Sequence, residues 1–208
     1  MYPYYDYQEQ KQALSDIHKM LVKNNFLTKL NPAFGTLLGA VRSGKLNTSQ
    51  NNWDDLDFSI KQENFKQFKD VIVPEFLNLG FHIEYVWMTS YNEIGELTFY
   101  RKDDRVDINQ VFPATKDDQK YYVHHHWYGE IQLTKGLRAD YYDNLKEINL
   151  EGLTFYGPAD DINHMIDCYG ESWKIPCTHE DEYKYWEDSP GVPWWRRDYY
   201  KKVLKQID

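Results

Sequence analysis

The chain has 208 residues (25.0 kDa), 41% of them hydrophobic and 27% charged, which describes a globular protein with a real core rather than a disordered chain. A net charge of -9 and a pI near 5.3 exclude a general nucleic-acid binder, whose affinity for the phosphate backbone needs a basic surface. The two cysteines, Cys168 and Cys177, are too few for a disulfide framework. There is also no apolar run long enough to span a membrane and no basic-then-apolar start, so the expected setting is cytoplasmic.

Leu14, Ile17 and Leu21 recur at helical spacing between Glu9 and Lys23, and Asn24-Asn25 ends the pattern, so the chain opens with an amphipathic helix. After Pro32, the run Ala33 to Arg42 sets small residues beside aliphatic ones, which predicts a turn leading into a tightly packed helix. Ser43 to Asn52 is polar and reads as a loop. Leu56, Phe58 and Ile60 then alternate with Asp55, Asp57 and Ser59, the period of a half-buried strand.

Phe65, Phe68, Ile72 and Phe76 return to a helical period, which Pro74 must kink or restart. Strands are predicted over 81–88, 94–101 and 105–112, with hairpin turns near Tyr91-Asn92 and Asp103-Asp104. Beyond Pro113 the periodicity fades until a short helix from Asp160 to Tyr169, closed by Gly170. A loop over 174–193 and a last helix over Tyr199 to Ile207 complete the reading. The pattern predicts an α+β fold in which helices flank a mixed sheet, organised as one domain.

The strand carrying Asp55 and Asp57 puts both carboxylates on one face and Leu56 and Phe58 on the other. Carboxylates about 4 to 5 Å apart repel by roughly 3 to 4 kcal/mol at an effective dielectric of about 20, so the pair invites a divalent cation. Oxygen ligands beside a phosphate substrate select Mg2+ or Mn2+. Asp107, in Arg105-Val106-Asp107-Ile108-Asn109, completes the set if its strand lies beside the first. Such a trio can hold two metals about 3.5 to 4 Å apart, one at the attacking hydroxyl and one at the leaving phosphate. The bland alternative is a solvated acidic turn, and Asp54 falls on the opposite strand face as a structural residue.

Some 20 residues before the acids, Gly35 and Thr36 sit at a helix start, where backbone N–H groups, a hydroxyl and the helix dipole favour a phosphate. Arg42 is a candidate to grip the same phosphate with two hydrogen bonds. The run Gly35 to Arg42, the run Trp53 to Asp57 and the strand Val106-Asp107-Ile108 resemble the LicD/fukutin-related family of the nucleotidyltransferase superfamily. Glu151-Gly152-Leu153 with Pro158, and Tyr169-Gly170 with Pro176, extend the resemblance over most of residues 9–177, leaving 178–208 as a C-terminal extension.

The resemblance implies a nucleotidyltransferase-type fold with Asp55, Asp57 and Asp107 as catalytic metal ligands. It also implies a CDP-linked donor, and transfer of a phospho-alcohol such as phosphocholine or ribitol phosphate to a glycan hydroxyl, with CMP released. The alternatives are transfer of a nucleoside monophosphate from an NTP to a small molecule or protein, and a nucleotide-binding module without catalysis.

Other groupings carry weaker signals. His124 and His126 could face one way from a strand as a metal pair, or serve as polar members of an aromatic-rich segment. His164 and Cys168, with Cys177 and His179, form an atypical zinc pattern. Trp194-Trp195-Arg196-Arg197 is expected to pack a terminal helix onto the domain.

Overall fold

The computed structural model describes residues 6–46, 55–89, 91–128, 131–175 and 195–199, with 126–128, 131–135 and 195–199 described by backbone alone. Trp53, Asp54, Cys177, His179 and the expected helix beyond Tyr199 lie outside the described residues.

Asp6 accepts hydrogen bonds from the N–H groups of Gln8 and Glu9 and so caps helix α1 (Tyr7–Lys23), whose Leu14, Ile17 and Leu21 are buried. A short strand β1 (Leu30–Pro32) leads into α2 (Phe34–Ser43), closed by Gly44 in the left-handed region. Strand β2 (Leu56–Lys61) runs straight into α3 (Gln62–Gln67), a π-helical segment over Phe68–Ile72, and α4 (Val73–Asn78). Pro74 marks the expected restart, because a new helix, α4, begins beside it. It sits in the first turn of α4, and the wider π turn before it lacks the alpha-type bond that its ring would remove.

The sheet continues with β3 (His82–Met88), β4 (Ile94–Arg101), β5 (Asp104–Lys116), β6 (Gln119–Tyr128) and β7 (Ile131–Arg138). A short α5 (Asp140–Asp143), the hairpin β8 (Leu145–Leu150) and β9 (Leu153–Pro158), and α6 (Asp161–Tyr169) follow, with β10 (Trp195–Tyr199) last. Among the described residues the main sheet has eight strands, in the order β1-β2-β5-β6-β7-β10 with β3 and β4 branching from β5. Strand β5 accepts β2 in parallel along one edge, while its other edge takes β4 and then β6, both antiparallel. This is a mixed sheet with helices against it, as the periodicity predicts.

Three hairpins escape the sequence reading, β5–β6, β6–β7 and β8–β9, and the turns of the first and last are described. Asp117 and Asp118 have φ of 48° and 63° between β5 and β6, and Glu151 and Gly152 have 55° and 80° between β8 and β9. Both are two-residue turns of the type that matches strand twist. Their first residues are acidic instead of asparagine, which hides the usual signal. Trp195–Tyr199 is a strand paired with β7, so the last helix does not begin at Tyr199 as expected.

One face of the sheet is apolar. Leu56, Phe58, Val106, Ile108, Leu97 and Phe99 belong to a single buried cluster with α1 and α3–α4, and the Phe76 and Phe99 rings stack at 4.6 Å. The other face carries the polar residues, with α2, α5 and α6 beside Ser59, while Phe155 of the small hairpin packs on Phe58 of the apolar face.

Candidate active site

Parallel pairing of β2 with β5 sets Asp57 directly beside Asp107, and Asp55 stands just before β2 begins. One carboxylate oxygen from each of the three acids lies within 4.8 Å of the others. The sequence expectation that they converge is met because alternation turns Leu56 and Val106 the other way, into the core.

Thr36 anchors this arrangement to α2. Its hydroxyl accepts the Asp57 N–H at 2.8 Å and donates to the Asp55 carbonyl at 3.4 Å, while the Ala33 N–H donates to the Asp57 carbonyl at 2.9 Å. The helix start and the acidic strand are thus tied on both sides of Asp57. Thr36, expected to offer its hydroxyl to phosphate, spends that hydroxyl on the strand. No side chain caps the N-terminus of α2, where Gly35 and Thr36 sit. Arg42 lies on the last turn, about 9 Å further along the axis, and its Nη2 donates to the Trp173 carbonyl at 2.5 Å.

Two residues that the sequence reading missed complete the electrostatics. The Arg105 guanidinium donates through Nε to Asp107 Oδ1 at 3.1 Å, and its Nη2 lies 2.7 Å from Asp107 Oδ2. The same Nε is 3.3 Å from Asp55 Oδ2, and Nη2 is 3.9 Å from Glu96 Oε1. Glu96 is buried on β4 and accepts a hydrogen bond from Thr98, which is the register partner of Asp107. The signal available in the sequence was that Arg105 precedes Asp107 by two and so shares its face.

Burial pushes the Asp55 carboxyl up to about 8, with the Asp107 charge adding to it and Arg105 opposing. Burial likewise raises Asp57 well above the carboxylate range, followed by the charges of Asp55 and Asp107. Glu96 is raised for the same reasons, burial first and Asp107 next. Arg105 is held firmly protonated: the charges of Asp107 and Asp55 outweigh its burial. The site therefore resists full ionisation unless more positive charge arrives. Three oxygen donors at this spacing fit a hard divalent cation such as Mg2+ or Mn2+.

The remaining candidates fall elsewhere. His124 is buried on β6, where its Nε2 hydrogen-bonds to the Tyr142 hydroxyl, and His125 lies against Phe112. The His126 side chain lies outside the described residues. His164 and Cys168 are both buried, with Sγ 3.9 Å from Nδ1. Among the described residues, the three aspartates are the one group with metal-ligand spacing. No helix among the described residues is long and apolar enough to cross a membrane.

No family model and no curated protein matches the chain, so the LicD/fukutin resemblance rests on the residues quoted for it. Among solved structures, the chain is similar to the crystal structure of ANT(2")-Ia in complex with adenylyl-2"-tobramycin, at 15% identity and a TM-score of 0.48, covering 85% of this chain and 86% of that one. It is also similar to the solution structure of the antibiotic-resistance factor ANT(2'')-Ia, at 15% identity and a TM-score of 0.46, covering 91% and 78%.

Proposed function

We propose that the chain is a divalent-metal-dependent transferase of the nucleotidyltransferase type, moving a nucleoside monophosphate from an NTP to a hydroxyl of a small-molecule acceptor. The observation that carries this reading is the convergence of Asp55, Asp57 and Asp107 at metal-ligand spacing, on and just before two paired strands. Magnesium held by these acids would neutralise the phosphoryl group and make the acceptor hydroxyl easier to deprotonate.

In this reading the acceptor oxygen attacks the α-phosphorus, the bond to pyrophosphate breaks, and Asp107 receives the hydroxyl proton. Thr36 and Ala33 hold the Asp57 backbone, which fixes the carboxylates relative to α2. The amides of Gly35 and Thr36, at a helix start without a side-chain cap, are suited to a phosphate oxygen. Arg105 orients Asp107 and offsets part of the acidic charge. Arg42, hydrogen-bonded to Trp173 at the far end of α2, is a weaker candidate for phosphate contact.

The second reading, transfer of a phospho-alcohol from a CDP-linked donor to a glycan hydroxyl, is favoured by the runs Gly35 to Arg42 and Trp53 to Asp57. It needs that resemblance in addition to the acids, whereas the first needs the acids alone. The by-product separates them. Incubation with Mg2+, a panel of hydroxyl acceptors and either NTPs or CDP-alcohols should release pyrophosphate on the first reading and CMP on the second. Release of neither, from protein that binds nucleotide, favours a binding module.

A further inference from the structure

The polar row on this face does not end at the acids. Two residues beyond Asp57 and Asp107, Ser59 and Asn109 are again register partners, 3% and 2% exposed. Among the described residues, Ser59 Oγ and Asn109 Oδ1 have no hydrogen-bond partner. Leaving such a group buried and unsatisfied costs about 1–3 kcal/mol. Of the two, Ser59 borders open space next to the candidate active site, where a ligand can supply its missing bond.

Ser59 lies on the wall of a pocket shared with Asn31, Phe34, His124, Tyr142 and His164. Asn31 is the register partner of Ser59 on β1. The Phe34 ring meets His124 edge-on at 5.0 Å, from a residue whose φ of 41° is uncommon for a bulky side chain. No Asp, Glu, Lys or Arg contributes to the wall among the described residues. Aromatic and aliphatic surface with a few hydroxyl, amide and imidazole groups suits an uncharged ligand rich in hydroxyls, and offers nothing to a phosphate. As it stands the pocket has room for about one or two water-sized groups, enough for a hydroxyl or hydroxymethyl arm. Ser59 is two residues from Asp57 on the same strand face, about 6.6 Å along it, so a ligand anchored at Ser59 can present a neighbouring hydroxyl to the acids.

We infer that this pocket is the acceptor subsite, taking the hydroxyl-bearing arm of an uncharged sugar or polyol with Ser59 as its hydrogen-bonding anchor. The inference rests on the transferase reading and names the acceptor class for it. Anchoring by Ser59 makes it a specificity residue that leaves the metal ligands untouched.

The test titrates ribitol, myo-inositol and methyl β-D-glucoside, and separately AMP and CMP, into isotope-labelled protein with Mg2+ while the backbone amides of Asn31, Ser59 and His124 are followed by NMR. At least one of the neutral probes should shift these amides. Ser59→Val and Ser59→Ala should each weaken that probe about tenfold, the worth of one hydrogen bond, with Mn2+ affinity unchanged. The inference is overturned if no neutral probe moves the amides, if AMP or CMP moves them instead, or if both variants bind the probes as the native protein does. By-product release is followed in parallel. By-product formed while these amides stay still counts against the subsite alone, whereas probe binding without by-product from any donor counts against the transferase reading.

Discussion

The two faces of the central sheet are buried alike and built from opposite chemistry. On one face Leu56, Phe58, Val106, Ile108, Leu97 and Phe99 are no more than 2% exposed, and on the other Ser59, Glu96, Thr98, Asp107 and Asn109 are no more than 6% exposed. Burying apolar area stabilises the fold by roughly 25 cal/mol per Å2. Burying carboxylates beside one another opposes it, as the raised Asp55, Asp57 and Glu96 show. The contrast teaches where stability and where chemistry reside: the apolar face supports a polar face that does not favour folding by itself.

The comparison breaks most directly at Asp107. Asp107→Asn should lower turnover by at least about 10^3-fold, roughly 4 kcal/mol of transition-state stabilisation, yet change the melting temperature in EDTA far less, because relief of the charges on Asp55 and Asp57 offsets part of the lost Arg105 ion pair. Initial rates and thermal melts of the same preparation check both halves. On the opposite face, Phe99→Ala should cost about 3–5 kcal/mol in urea unfolding while the rate per folded molecule stays near native.

Thr36 joins the two behaviours. Thr36→Val leaves the Asp57 N–H without its partner and should cost about 1–3 kcal/mol in stability together with weaker Mn2+ binding, whereas Thr36→Ser should restore both.

Measured per pH unit, the smallest effect is a slope in pH. Burial and the Asp107 charge push the folded Asp55 carboxyl up to about 8, against about 3.9 for a free aspartate, so the folded chain holds a proton that the unfolded chain has lost. That contribution is present in full below about pH 4 and is lost as pH rises through about 8. The stability of metal-stripped protein should therefore fall between pH 5 and 8, by up to about 1.4 kcal/mol per pH unit. Saturating Mg2+ should flatten the slope, and a stability that climbs with pH in EDTA would contradict the assignment.

Much of this contrast was readable from the sequence, because period-2 alternation in Leu56 to Ile60 and Arg105 to Ile108 states which side chains share a face. The parallel register that aligns Asp57 with Asp107 is not local information, and neither is the pairing of Thr98 with Asp107 that carries Glu96 to the site. Arg105 was visible two residues from Asp107, but its partners come from two other segments. The hairpins at Asp117-Asp118 and Glu151-Gly152 stayed hidden because acidic residues occupy left-handed positions where asparagine or glycine is the familiar sign. Arg42 read as a phosphate ligand from its motif, whereas its position at the far end of α2 depends on the helix and on Trp173.

The central claim is that Asp55, Asp57 and Asp107 together hold divalent cations, and calorimetric titration of Mn2+ tests it without any assumption about substrates. The native protein should bind the ion, Asp57→Asn and Asp107→Asn should each weaken it by more than about tenfold, and Asp161→Asn, paired with Lys146 away from the site, should not. Equal Mn2+ affinity in the native protein and in both active-site variants would contradict the account.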